Sequence, residues 1–332
     1  MKILALADLI VGAEMLEAGL ATMPELTADL TIREWRHDSV EHMQAENLLV
    51  EQHGPQAIGV PEGIYDDLAD YDVLITGFCP VPASVVAQGV KLRAIGVLRA
   101  GVENVDVAAA EARGIPVVNA PGRNANAVAE FSLGMILAET RDIARSHEQV
   151  RGGVWRPGFP NTDAIRELSG RSVGIVGLGQ IGQIVARLLT AFGAKVCYFD
   201  PLVDSAPYPR VEDIVELAKQ VDILTIHSRM TEATKRIVSA EVIAALRPHA
   251  VLVNTARSGL VDEPALIEAL REHRIMGAAI DTFDTEPLPP DSPFLTLDNV
   301  TITSHLAGTT LDSFARTPVI LAERLMDTLR GS

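Results

Sequence analysis

The sequence of 332 residues lacks several features that would each indicate a particular class of protein. It has two cysteines, Cys79 and Cys197, which lie far apart without CxxC spacing, so a disulfide framework and a zinc site are not expected. Two reduced cysteines are consistent with the cytoplasm. No apolar run approaches the roughly 20 residues that a membrane-spanning helix needs, and the short run Ile3–Ala7 is predicted to be a buried strand rather than a signal peptide. We therefore expect a soluble protein without a metal site or a membrane partner.

Positive charge is also scarce. The chain has 28 lysines and arginines against 44 aspartates and glutamates, which gives a formal net charge of −16. This charge repels nucleic acids and anionic membranes, so neither is an expected partner. An anionic substrate would require a local cluster of positive groups, because the field of the whole protein opposes its approach.

The length and the order of apolar segments predict two α/β domains. The composition is that of an ordinary globular protein, and 332 residues fit two domains. Short apolar strands alternate with helices in two series, which is typical of doubly wound parallel sheets covered on both faces. The first series of strands is predicted at Lys2–Ala7, Val73–Thr76, Leu92–Val97 and Pro116–Asn119, with a helical pattern at Asp106–Arg113. The second is predicted at Arg171–Gly177, Lys195–Phe199, Asp222–Ile226, Ala250–Asn254, Gly277–Ile280 and Val300–Thr303.

A helix between the two series is apolar almost all round. It is predicted over Asn124–Arg141, and its residues from Ala127 to Ala138 leave no polar face. Such a helix must be covered on several sides, either between the domains or between two copies of the protein. We favour the second alternative, a homodimer through the region 124–141.

A dinucleotide-binding motif begins the second series. Gly177, Gly179 and Gly182 form GxGxxG with Gln180 and Ile181, directly after a predicted strand and at the start of a helix over Gln180–Phe192. The glycines permit the turn and a close approach to a pyrophosphate, and the helix N-terminus supplies N–H groups. Asp200 ends the next strand, at about the expected 20 residues, where a carboxylate accepts ribose hydroxyls and repels a 2′-phosphate. The sequence thus predicts NAD rather than NADP.

Three side chains with catalytic potential follow three later strands. Arg257 follows the strand ending at Asn254, Glu286 lies beyond the strand ending at Ile280, and His305 lies beyond Val300–Thr303. Ligands of α/β sheets bind at these carboxyl ends.

Several ordered motifs resemble the D-isomer-specific 2-hydroxyacid dehydrogenases, the family that includes phosphoglycerate, glyoxylate/hydroxypyruvate and D-lactate dehydrogenases. They are the glycine motif, Asn254–Asp262 (NTARSGLVD), Asp281–Leu288 (DTFDTEPL), Thr303–Gly308 (TSHLAG), Val118–Gly122 (VNAPG) with Val128–Glu130 (VAE), and Gly153–Trp155 (GVW).

The resemblance implies a reaction and a role for each catalytic residue. An (R)-2-hydroxy acid and its 2-keto acid are interconverted by hydride transfer with NAD. Arg257 is expected to bind the carboxylate through its planar fork, His305 to act as acid and base, and Glu286 to orient the imidazole. His227, Ala256 and Asp281 are expected beside the cofactor.

The resemblance also places substrate binding on a loop of the first domain, Arg99–Asp106. Arg99 is expected to supply a second positive group, and the N–H groups of Ala100 and Gly101 to bind the carboxylate. The loop resembles the phosphoglycerate dehydrogenase pattern RAGTGVDNVD but is two residues shorter, so substrate identity does not transfer. Ser304 departs from the proline that is common in the family.

The implied fold is discontinuous. A substrate domain over 1–120 would be completed by a C-terminal helix within 309–332, a cofactor domain would occupy 121–308, and the cleft between them would close on the substrate. His37, His42 and His53 have no metal-ligand spacing and are expected to be solvated.

Two other functions remain open. One is a non-catalytic NAD-sensing scaffold like the corepressors of this fold. The other is oxidation of phosphite or formate, although formate enzymes usually carry glutamine where this chain has Glu286.

Overall fold

The computed structural model describes residues 1–159 and 165–331. Within it the chain forms two compact units, Met1–Asn124 with Thr310–Ser332, and Ala125–Thr309. The sequence placed these boundaries at 120/121 and 308/309. Each unit is an α/β structure around a parallel sheet, which confirms the predicted fold class.

The first unit contains a five-stranded parallel sheet in the order β2-β1-β3-β4-β5. Strands β1, β3 and β4 are buried along their whole length, because helices and loops cover both faces. The strands are β1 (Ile3–Ala7), β2 (Leu30–Glu34), β3 (Val73–Thr76), β4 (Ala94–Val97) and β5 (Val117–Asn119). The helices are α1 (Ala13–Leu20), α2 (Val40–His53), α3 (Ala83–Gln88), α4 (Val107–Glu111) and the C-terminal α11 (Leu311–Gly331), which packs on α1, β4 and β5.

Strand β2 is the one strand of the described residues that the sequence did not predict. It lies at the edge of the sheet, and its residues are half-buried or exposed. Polar side chains need not be buried at these positions, so the strand can contain Thr31, Arg33 and Glu34. The apolar pattern typical of a buried strand is therefore absent.

The second unit contains a six-stranded parallel sheet in the order β11-β10-β9-β8-β6-β7. A single parallel bridge between Tyr198 and Arg210 extends it beyond β7. Counting that bridge as a strand reduced to one residue, the order is that of a dinucleotide-binding fold, with β7 and β8 on opposite sides of β6. The strands are β6 (Ser172–Val176), β7 (Lys195–Phe199), β8 (Ile223–Ile226), β9 (Val251–Asn254), β10 (Gly277–Ile280) and β11 (Val300–Ile302).

The helices of the second unit begin with the apolar helix that the sequence predicted. Helix α5 spans Ala125–Thr140 and packs on α7, β9, β10 and β11 of its own unit. The other elements of the second unit therefore cover much of the apolar surface of α5. The sequence had suggested cover between the domains or between two copies, and neither arrangement included this one. Phe131, Leu133 and Leu137 remain half-buried. The others are α6 (Ile143–Arg151), α7 (Gln180–Ala191), α8 (Ile214–Gln220), α9 (Ala240–Ala245) and α10 (Glu263–Arg271).

None of the helices in the two described ranges is both long and apolar enough to cross a bilayer.

Candidate active site

The glycine motif forms the turn between β6 and α7. Gly177 has φ +92°, and a side chain there would collide with Ser228. A side chain at Gly182 would collide with the carbonyl of Gly177, so this glycine permits the close packing of helix and strand. A side chain at Gly179 would meet no atom within 4 Å, so the backbone here is open to a ligand.

The first turn of α7 offers an anion-binding end. Gly179 precedes the helix without a side-chain cap, so the N–H groups of Gln180 and Ile181 are left for a ligand. These groups and the positive end of the helix dipole suit a pyrophosphate. The residues present thus fit a dinucleotide at the point where the strand order reverses.

Asp200 holds this turn in place from the end of β7. Its Oδ2 accepts a hydrogen bond from the N–H of Leu178 at 2.8 Å, and its Oδ1 accepts from Leu202 at 2.8 Å. The carboxylate is half-buried at the position where dinucleotide folds bind a ribose.

His227 lies on the other side of the turn, directly after β8. It is buried, and its Nε2 lies 2.9 Å from the hydroxyl of Thr225. Burial lowers the pKa of His227 to about 3, so the ring is neutral. The backbone N–H of His227 donates to the carbonyl of Val176 at 2.8 Å, which places His227 beside the glycine turn.

His305 and Glu286 form a hydrogen-bonded pair beyond β11 and β10. The Nδ1 of His305 lies 2.8 Å from Oε2 of Glu286, and Oε1 of Glu286 accepts from the N–H of Phe283 at 2.8 Å. Because Nδ1 faces a carboxylate, it carries the proton, and Nε2 is left to exchange one. Within the described residues Nε2 has no hydrogen-bond partner, and the side chain of His305 is 45 % exposed.

The pair shifts the pKa of both groups. The hydrogen bond to Glu286 raises the pKa of His305 above its usual 6.5, although burial and the charge of Arg257 oppose the shift. Burial acts to raise the pKa of Glu286, but the hydrogen bonds from His305 and Phe283 outweigh it and hold the pKa below its usual value. The hydrogen bond to Glu286 therefore favours the protonated form of the imidazole.

Arg257 completes this group. It follows β9, is exposed, and donates from Nη1 to the carbonyl of Ala256 at 2.8 Å. Ala256 is held in turn, since its N–H donates to Oδ1 of Asn254 at 3.1 Å. The charge of Arg257 acts on both His305 and Glu286, so the three predicted catalytic residues lie in one electrostatic neighbourhood.

Asp281 supports the loop that carries His305. It is fully buried at the end of β10, and its two oxygens accept from the N–H groups of Leu306 and Ala307, each at 2.9 Å. His305 itself has φ +55°, a left-handed conformation that is uncommon outside glycine. The sequence placed Asp281 beside the cofactor and did not reveal this supporting role, although an acid directly after a strand was a visible signal.

The predicted substrate loop lies in the first unit, beyond β4. Arg99 is 12 % exposed, with Nη2 at 3.2 Å from Oε2 of Glu51 and Nη1 at 3.7 Å from Oε2 of Glu103. Its guanidinium lies over the ring of Phe78, 3.2 Å from the centroid. The N–H groups of Ala100 and Gly101 donate to no acceptor within residues 1–159 and 165–331.

Among the described residues, no group of three or more histidine, cysteine, aspartate and glutamate side chains is arranged to hold a metal ion. The expectation that His37 is solvated was wrong. Its side chain is 2 % exposed, with Nε2 at 3.0 Å from Glu46 and the ring edge-on to Trp35. An aromatic neighbour and a carboxylate nine residues away cover a ring that the polar local sequence suggested was exposed.

Known proteins match most of the length of the chain. Residues 133–307 match the family model for the D-isomer specific 2-hydroxyacid dehydrogenase, NAD binding domain. The chain is 39 % identical over 277 residues to D-3-phosphoglycerate dehydrogenase of Methanocaldococcus jannaschii, covering 81 % of this chain and 52 % of that protein. It is 35 % identical over 277 residues to glyoxylate reductase of Thermofilum pendens, covering 81 % and 82 %.

A solved structure is similar over almost the whole chain. It is the NADPH-dependent glyoxylate/hydroxypyruvate reductase of Sinorhizobium meliloti in complex with citrate, with a TM-score of 0.74, 26 % identity, and 98 % and 94 % of the two chains covered. The chain belongs to the D-isomer-specific 2-hydroxyacid dehydrogenase family. It spans about half the length of the phosphoglycerate dehydrogenase it matches.

Proposed function

We propose that the protein is an NAD-dependent oxidoreductase that interconverts a small (R)-2-hydroxy acid and its 2-keto acid. The observation that carries the proposal is the 2.8 Å hydrogen bond between His305 and Glu286, with Arg257 acting on both. A half-exposed histidine with a carboxylate on one nitrogen and an open second nitrogen is the arrangement that acid–base catalysis requires. A scaffold that only senses NAD has no need of it.

The roles of the three residues follow from their chemistry. Arg257 binds the substrate carboxylate, since its guanidinium is exposed and its fork matches two oxygens. His305 donates a proton from Nε2 to the keto oxygen, or removes one from the hydroxyl in the reverse direction. Glu286 orients the ring and stabilises the protonated form. The nicotinamide, when bound, supplies or accepts the hydride.

The cofactor assignment to NAD rests on Asp200. Its carboxylate suits ribose hydroxyls and repels the 2′-phosphate of NADP. Gly177–Gly182 receives the pyrophosphate in this proposal, with His227, Ala256 and Asp281 around the nicotinamide half. The solved relative from S. meliloti is NADPH-dependent, and the ratio of the rates with NADH and NADPH tests the preference of this chain.

We extend the proposal to the loop Arg99–Asp106. The unpaired N–H groups of Ala100 and Gly101 are donors of the kind that bind a carboxylate, and Arg99 belongs to the same loop.

A spectrophotometric assay tests the function. The full chain is mixed with NADH or NADPH and a panel of 2-keto acids that includes glyoxylate, hydroxypyruvate and sugar-derived acids, and loss of absorbance at the nicotinamide band is followed. We expect turnover of at least one acid, faster with NADH. Tight binding of NADH without turnover across the panel would favour a sensing scaffold instead, and turnover of phosphite would favour the other alternative.

We also propose that the protein is a cytoplasmic homodimer through the region 124–141, which contains α5. The support is apolar exposure near α5, where Ile143, Val150 and Val154 are exposed and Trp155 is 86 % exposed. Light scattering should give about twice the chain mass of 35.6 kDa. A monomer at micromolar concentration contradicts the dimer and leaves the activity proposal intact.

A further inference from the structure

We infer that the substrate carries no second anionic group beyond its carboxylate, so that its remaining end is uncharged and not phosphorylated. This inference rests on the proposed function, and specifically on substrate binding by the loop Arg99–Asp106. It arises from the way this loop holds its arginine.

The charge of Arg99 is already matched within the first unit. One edge of the guanidinium faces Glu51 at 3.2 Å, and another nitrogen faces Glu103 at 3.7 Å. Its flat face lies over Phe78, with 3.2 Å between the guanidinium carbon and the ring centroid. These three groups are one positive and two negative charges, so Arg99 brings no excess positive charge to the loop.

The end of α2 adds to the negative potential. Glu51 lies in the last turn of α2, and a side-chain carbon added at Gly54, just beyond the helix, would lie 3.9 Å from the carbonyl oxygen of Glu103. The C-terminus of a helix carries a partial negative charge of roughly half an electron. The cluster of Arg99, Glu51 and Glu103 therefore offers no net positive charge to a second anionic group of the substrate.

The carboxylate of Glu103 lies directly against the loop backbone. A side chain at Gly101 would overlap that carboxylate, so Glu103 covers the Gly101 backbone on that side. The N–H groups of Ala100 and Gly101 are left for one small acceptor, such as the substrate carboxylate. A phosphate nearby would lie beside Glu103 without a free positive charge to compensate.

The inference differs from one expectation drawn from the sequence. Arg99 was expected to supply a second positive group for the substrate. The carboxylates of Glu51 and Glu103 can accept hydrogen bonds from hydroxyl groups of the substrate, but they disfavour a second anionic group. A hydroxylated 2-keto acid fits the cluster better than its phosphate ester.

The test compares a matched pair of substrates. The values of kcat/KM are measured with NADH for hydroxypyruvate and for 3-phosphohydroxypyruvate, which differ by the phosphate alone. We expect hydroxypyruvate to be favoured by at least about tenfold. Glu51→Gln and Glu103→Gln each remove one negative charge, and each should raise the relative rate with the phosphorylated acid about three- to tenfold. Glu17→Gln on α1 is the control, with the same change in net charge on an exposed residue of another element.

Two outcomes overturn the inference. One is preference for the phosphorylated acid, and the other is a substrate ratio that neither Glu51→Gln nor Glu103→Gln changes more than Glu17→Gln does. Calorimetric titration with glycerate and 3-phosphoglycerate separates the inference from the proposed function. If glycerate binds more tightly than 3-phosphoglycerate but no keto acid is turned over, the inference is supported and the proposed activity is contradicted. If the two affinities are equal or reversed, the inference is overturned whether or not there is turnover.

Discussion

Two arginines occupy equivalent places in the two units and differ in how their charge is held. Arg257 lies beyond β9 in the second unit, and Arg99 lies beyond β4 in the first, each at the carboxyl end of a parallel strand. Arg257 is exposed, and the carboxylate it influences, Glu286, is hydrogen-bonded to His305. Arg99 is enclosed by two carboxylates and an aromatic ring. The same position on a sheet thus yields one available cation and one neutralised cation.

The difference shows that topology and charge balance are separate properties. A position after a parallel strand places a side chain at the ligand-binding edge of its sheet. Whether its charge is available depends on side chains from elsewhere in the chain, and Glu51 is 48 residues from Arg99. We therefore expect mutations in the two neighbourhoods to have very different effects on catalysis.

The largest expected effect is that of His305→Ala. Removal of the imidazole eliminates the only group assigned to proton transfer, so kcat/KM should fall by about 10²- to 10⁴-fold. Steady-state rates with NADH and the best keto acid measure the loss. His147→Ala, at an exposed position on α6, is the matched control and should retain nearly full activity. If His305→Ala keeps the wild-type rates, His305 is not the acid–base group and the reaction does not take place beside Glu286 and Arg257.

Arg257→Lys is expected to have the next largest effect. Lysine keeps the charge but cannot make two parallel hydrogen bonds to a carboxylate, so kcat/KM should fall by roughly 10- to 100-fold. Arg257→Ala should lower kcat/KM further, because it also removes the positive charge. If Arg257→Lys is as active as the parent, the guanidinium acts only as a distant charge and does not bind the carboxylate through two hydrogen bonds. The proposed difference between Arg257 and Arg99 would then be contradicted.

Glu286→Gln should change the pH profile as well as the rate. The hydrogen bond to Glu286 raises the pKa of His305, so keto-acid reduction, which requires the protonated ring, declines only as pH rises through that raised pKa. Glutamine removes the charge, so the decline should move to lower pH, with a loss of about 10-fold in kcat at neutral pH. For oxidation of the hydroxy acid the rising limb should move in the same direction.

Rates measured across pH with NADH and with NAD test this prediction. A profile that stays in place while the rate falls would mean that Glu286 acts on the position of the ring and not on its proton affinity.

Much of the fold and of the site was predictable because the signals are local. Strands β7 and β10 were predicted to the residue, since both are short and apolar between turn residues. The glycine motif was recognisable because it lies directly between a predicted strand and a predicted helix. Arg257, Glu286 and His305 were visible because each follows a strand, and the parallel order brings strand ends to one edge.

The rest depends on partners distant in sequence or on backbone conformation. No pattern identifies the left-handed φ of His305, because Asp281 supports its loop from the preceding strand. Strand β2 lacked the apolar pattern of a buried strand, and His37 is covered by residues that its own segment does not predict. Ion pairs such as Arg99 with Glu51 require the tertiary fold.

The smallest expected effect is that of Arg99→Lys, and it tests the comparison most directly. If the charge of Arg99 serves Glu51 and Glu103, a lysine preserves the sign of the charge but loses the planar fork between the two carboxylates and the stacking of the guanidinium on Phe78. The free energy of unfolding should then fall by about 1 to 2 kcal/mol, and kcat/KM for hydroxypyruvate should change by less than about threefold. Thermal or urea unfolding and steady-state rates, measured beside Arg257→Lys, give both numbers. A loss in kcat/KM as large as that of Arg257→Lys, with unchanged stability, would show that Arg99 binds the substrate directly. In that case the two arginines would act as a pair, and the neutralised state of Arg99 would describe only the protein without its substrate.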